Sequence, residues 1–203
     1  MLINLFFGLA VNAAYAIANQ VSAVINSFVI NIKQPMIPQM MSAYGAGDKQ
    51  NMHKLIFTGT KITCILLLML SLPVIFEISP LLTLWLKEPP MYADKLSILV
   101  LININISSFT YFLYQGVHAT GNITKQQIVM STLYVFNVIL IYMAFKLNMN
   151  FYIALYITIG ISVIQCIVNT IMAHMYYELN IWSFLKECFF PCSIVTILSV
   201  VVL

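Results

Sequence analysis

The sequence predicts an all-α, polytopic membrane helix bundle of about six transmembrane helices, and three observations carry that prediction. Hydrophobic residues make up 62% of the chain and charged residues only 7%, far below the ~25% charged residues of an average soluble domain. Apolar stretches recur at the length a helix needs to cross a ~30 Å hydrocarbon core. They are too long and too continuous for barrel strands, which run to ~10 residues with strict alternation. The whole chain, 1–203, reads as one bundle with spans at about 9–32, 55–77, 96–117, 128–146, 151–173 and 187–203.

The first span carries a polar stripe. Asn12, Asn19, Asn26 and Lys33 stand seven residues apart, with Tyr15 and Ser22 at the half-steps. On an α-helix that spacing drifts only ~20° per heptad, so these side chains share a face. A bilayer-length helix with such a seam suggests a wall facing a water-filled or sugar-filled cavity. Ala13, Ile17 and Val24 are left for lipid or neighbouring helices. The apolar residues ahead of Asn12 are too few to span and read as the tail of an earlier helix.

Pro35 and Pro38 are expected to kink or end the first span, and the run 44–48 (YGAGD) to turn the chain. Asp48 can cap the next helix, with Asn51 as a second candidate. The segment 51–57 has the amphipathic look of a stretch entering along the membrane surface, with His53 exposed at the interface.

Pro73 interrupts the second span, and Glu77 and Pro80 follow near its outer end. Glu77 is the one acid near a span core. It is a candidate for ion coupling, or simply an interfacial residue. Trp85 and Tyr92 bracket the next loop at the level where aromatic rings meet headgroups. In the third span Asn103 and Asn105 point to different faces, so at least one is expected to bond a neighbouring helix. Toward Gly121 and Asn122, a C-cap and turn signal, Tyr111, Gln115 and His118 share a face and form a second polar patch for the same cavity. The fourth and fifth spans are continuous and apolar. The sixth holds Cys188 and Cys192 one turn apart. Without His or acidic partners these read, like Cys64 and Cys166, as small buried hydrophobes and not as a metal pair.

All nine basic residues are lysine and the net charge is +3, too little and too scattered for a nucleic-acid surface. The absence of Arg lowers the expectation of bidentate diphosphate recognition, although Lys binds phosphate as a point charge. The connections after the first, third and fifth spans hold Lys33, Lys49, Lys54, Lys61, Lys125 and Lys186. Those after the second and fourth hold Lys87, Lys95 and Lys146. Six against three places the first set in the cytoplasm. No metal cluster, phosphate loop, nucleophile set or paired carboxylates can be assembled, so neither an enzyme nor a cofactor is expected. The first residues lack a basic region and cleavage site, so no signal peptide is expected. Both ends lie in apolar runs, and a part of a larger protein is expected.

Several runs carry a resemblance: LINLFFGLAVNAAYAIANQV at 2–21, NIKQPMIPQ at 31–39, SAYGAGD at 42–48, MHKLIF at 52–57, SLPVIFE at 71–77 and LWLK at 84–87. Together they resemble the oligosaccharide-lipid flippases (Wzx-type polysaccharide exporters) of the multidrug/oligosaccharidyl-lipid/polysaccharide exporter superfamily. The likeness spans 2–125 and is only compositional beyond. It implies the C-terminal half of a transporter in which two bundles of about six helices enclose a central cavity. That half would start near the end of its first helix, in a bacterial cytoplasmic membrane. The substrate implied is an undecaprenyl-diphosphate-linked oligosaccharide bound for surface polysaccharide or O-antigen. The partners are then that lipid-linked sugar, membrane lipids, and a missing N-terminal bundle or a second copy. On this resemblance the neutral stripe would bond sugar hydroxyls, and Lys33 or Lys61 would attract the diphosphate. Two alternatives stand beside it: a drug or cation antiporter of the same superfamily, for which Glu77 is the available carboxylate, and a non-transporting remnant or scaffold.

Overall fold

The structure, a computed structural model, describes residues 2–194. It is an all-α bundle, and five of its helical segments are long and apolar enough to cross a membrane. They match the first five expected spans in order. Of the sixth, 187–203, the part 195–203 lies outside the described residues.

Helix α1 (Leu2–Gly45) breaks its helical geometry once, at Gly8, whose φ of +80° and ψ of −175° suit only glycine. The residues before it form a short separate piece, and the long helix starts where the first span was expected to start. It does not end at the prolines. Pro35 and Pro38 both lie on the exposed side of α1. There the ring can push the preceding turn outward and the freed carbonyls lean away from the packed face. The helix therefore runs on to Gly45, and the expected long loop shrinks to a turn at Ala46–Asp48, with Gly47 at φ +76°. Asp48 caps α2 (Lys49–Phe76), its carboxylate accepting the Asn51 amide at 3.0 Å. The segment expected along the membrane surface is thus the first two turns of a continuous helix. Pro73 does not interrupt α2 either.

Glu77 makes the corner between α2 and a short helix that the sequence reading placed in a loop, α3 (Ile78–Leu86). Pro80 falls in its first turn, where an amide is unbonded in any case. The third span is α4 (Ala93–Phe109) and α5 (Tyr111–Ala119), broken at Thr110. Gly121 follows α5 at φ +79° and turns the chain into α6 (Ile123–Lys146). Helix α7 (Ile153–Tyr177) returns. After it come α8 (Ile181–Phe184), a π-helical turn (Leu185–Phe189), and helix again over 190–194.

Helices α1 and α2 form an antiparallel hairpin that leans on α4 and α5. Helix α7 packs on α4 and α5, and α6 packs chiefly on α7. The two ends of the bundle differ in chemistry. At one end, rings of Phe7, Tyr92, Phe145, Phe151 and Tyr152 pack edge to face or tilted, 4.3–5.7 Å between centroids for the close pairs. At the other, His53 Nε2 meets the Tyr177 carbonyl at 3.0 Å and Lys49 pairs with Glu178 at 3.0 Å, joining the start of α2 to the end of α7. His53 is therefore half-buried and bonded between helices, not an exposed interfacial residue. Of the six lysines assigned to one side, Lys49, Lys54 and Lys125 lie in the opening turns of α2 and α6 at this second end, whereas Lys33 and Lys61 lie further along α1 and α2.

Candidate functional site

The packed face of α1 is set by Val11, Ala14, Ala18, Ser22, Ile25, Val29 and Lys33. Ala14, Ala18 and Val29 are small enough to let α4 approach, and all three are fully buried. At ~100° per residue the expected polar stripe is centred roughly 65° round the helix from this face. The stripe is consequently divided. Ser22 and Lys33 fall inside the bundle, Asn12, Tyr15 and Asn26 are half-buried on its edge, and Asn19 is exposed. The Asn19 side-chain amide donates to the Tyr15 carbonyl at 2.9 Å.

Lys33 is only 4% exposed. Its ammonium donates to Ser108 Oγ at 3.1 Å and lies 4.5 Å from the centre of the Tyr111 ring. Tyr111, assigned from sequence to the second polar patch, is thereby brought to the first. The other two members stay on α5. The buried Nε2 of His118 has no hydrogen-bond partner among the described residues, and its ring lies tilted, 4.4 Å from the ring of Tyr114. Lys61 is half-exposed and paired with Glu187 at 3.1 Å. Glu77 is exposed at its corner, away from the packed interior.

A second heptad on α1 went unread in the sequence. Gln20, Ser27 and Gln34 stand seven apart, with Asn31 between, and all four are exposed on the side opposite the packed face. Ser27 bonds back to the Val24 carbonyl. The amides of Gln20, Asn31 and Gln34 make no side-chain hydrogen bond among the described residues. The signal was present as periodicity, but nothing in periodicity says which of two polar seams faces outward.

Several other polar side chains in the spans bond one another. Asn105 donates to Ser71 Oγ at 3.0 Å, and Ser162 donates to Asn103 Oδ1 at 2.8 Å, so both asparagines join neighbouring helices. Gln126 and Asn169 continue this seam between α6 and α7. An apolar groove of about 670 Å³ lies between α2, α4, α7 and the 181–194 segment, lined among others by Leu68, Ile106, Phe109, Ile167 and Phe189. None of the stripe residues lines it. Cys64, Cys188 and Cys192 are buried and Cys166 half-buried, and no group of metal-ligating side chains occurs among the described residues.

Comparison of the chain with protein-family models, with curated proteins and with solved structures finds no match. The site is thus defined by its own chemistry: an outward, uncharged, amide-bearing face on a bilayer-length helix.

Proposed function

We propose that this chain is part of a membrane transporter that moves lipid-linked oligosaccharide across a bacterial cytoplasmic membrane. The outward face of α1 would form one wall of its pathway. The observation that carries the reading is the exposure of Gln20, Asn31 and Gln34 on a helix of membrane length. Burying an unbonded amide in hydrocarbon costs roughly 2–7 kcal/mol depending on the reference state, so lipid is a poor cover for this face. Water, or a ligand rich in hydroxyls, is a good one. Amides donate and accept at once, which suits neutral sugars, and they bring no negative charge to balance a cation.

The sequence resemblance to oligosaccharide-lipid flippases supports the same direction. The buried setting of Lys33 shifts the expected diphosphate contact away from it. Of the two lysines considered, Lys61 is the one with a surface outlook. The antiporter alternative gains nothing from Glu77, which stands exposed at a helix corner.

The test is complementation of a strain lacking its own oligosaccharide-lipid flippase, with the chain alone and with the chain joined to its upstream coding region. Rescue that is lost in Gln20→Leu and Asn31→Leu at unchanged membrane levels supports the reading. Rescue that persists in both, or no rescue by either form, overturns it.

A further inference from the structure

The helix through the middle of the bundle breaks at a residue that is neither proline nor glycine. Sharp breaks otherwise trace to those residues, to π-bulges, or to a side chain inserted into the backbone ladder. At Thr110 (φ −107°, ψ 13°) the amide turns toward the Ser108 carbonyl. In a continuous helix it would bond the carbonyl of Ile106. That carbonyl is not left empty. The Cys166 thiol, reaching across from α7, donates to it at 3.3 Å. The same sulfur accepts from Thr110 Oγ1 at 3.4 Å, and the Asn169 amide donates to Thr110 Oγ1 at 3.4 Å.

We propose that the break at Thr110 is a two-state joint, with the Cys166 thiol occupying in the bent state the Ile106 carbonyl that the Thr110 amide takes in the straight one. Both states satisfy that carbonyl, which is the condition for a bistable element inside a packed membrane protein. A thiol is a weak donor, so the exchange is close to balanced, where a strong donor would fix the bend.

Helix α1 grips the joint from the opposite side. Lys33 bonds Ser108 just before the break and lies over Tyr111 just after it. Straightening moves these two contacts relative to each other, so the joint is coupled to α1 through one side chain. The inference concerns the interior of the bundle and does not rest on the function proposed above.

The test is a pulsed spin-label distance between Lys95 on α4 and Ala119 on α5, with labels attached through encoded ketone side chains so that the native cysteines stay intact. An unbroken helix would separate these positions by ~36 Å. Cys166→Val removes the donor at similar volume, and its distribution is expected to move toward that value. Cys166→Ser supplies a stronger donor and is expected to hold the distribution in the bent state, with no movement toward that value. An unchanged distribution in Cys166→Val, or the same shift in both variants, overturns the proposal. If Cys166→Val does not fold, judged by helicity and elution, Cys166→Ala takes its place with the same two outcomes.

Discussion

Gly59 on α2 has no room for a methyl group, and the consequence can be worked in numbers. A β-carbon there would stand 2.7 Å from both Cε2 and Cζ of Phe112 and 2.9 Å from its Cε1. Carbon atoms rest at ~3.5–4.0 Å, so the ring would have to retreat by ~1 Å. Phe112 is fully buried on α5, in one cluster with Met52, Ile56, Leu113 and Tyr177. Its retreat therefore pushes on at least two other helices. Overpacking of this kind costs typically ~1–3 kcal/mol, and replacing a helical glycine by alanine returns about 1 kcal/mol. Gly59→Ala is expected to lose about 1 kcal/mol net. The assay is reversible unfolding of the purified protein in detergent micelles, followed by helicity. Phe112→Leu, made alone and together with Gly59→Ala, closes a double-mutant cycle. The pair should be less destabilised than the sum of the singles by about 1 kcal/mol, because the smaller side chain leaves space for the methyl. A Gly59→Ala protein as stable as its parent, or strict additivity in the cycle, would refute the reasoning.

Other expectations follow from the same contacts. Asp48→Ala removes the side-chain bond to the Asn51 amide and should cost about 1 kcal/mol, while Asp48→Asn should recover most of it in the same unfolding assay. Lys61 and Glu187 are both substantially exposed, so their coupling in a double-mutant cycle should fall below ~1 kcal/mol and fade with added salt. Asn105→Leu breaks the link from α4 to Ser71 on α2 and should cost on the order of 0.6 kcal/mol, the average for such bonds between membrane helices. Lys33→Met trades a buried cation with neutral partners for an apolar side chain of similar length. It should leave stability unchanged or raised, read as the midpoint of thermal unfolding.

Much of the architecture was legible from local pattern because bilayer thickness fixes helix length. The five spans, the turn at Ala46–Asp48 and the cap at Asp48 each depend on residues within one short window. What failed depends on facts outside such a window. Pro35 and Pro38 stop a helix or ride on it according to which side they face, and that side is chosen by α2 and α4. The seam of Asn12, Asn19, Asn26 and Lys33 is real as periodicity. The choice between it and the seam of Gln20, Ser27 and Gln34 is made by packing, which buried Lys33 and left Gln20 outside. His53 looked interfacial because its partner, the Tyr177 carbonyl, is 124 residues away. The break at Thr110 is invisible for a similar reason, since the thiol that takes the Ile106 carbonyl lies 60 residues further along. α3 was missed because Pro80 reads as a breaker unless its place in the first turn is known.

The uninterrupted course of α1 has a consequence for how the molecule stands in its membrane. From Leu9 to Gly45 the helix is about 55 Å long at 1.5 Å per residue, against a hydrocarbon slab of ~30 Å. Fitting it inside by tilt alone would take roughly 55°, beyond the 0–40° at which membrane helices are found. The tip of the α1–α2 hairpin, with the polar residues Lys49, Asn51 and Lys54, therefore reaches past the hydrocarbon slab to the headgroup layer or beyond. An epitope or protease site placed at Gly47 would be reachable from one compartment only, and would report which way round the protein is inserted.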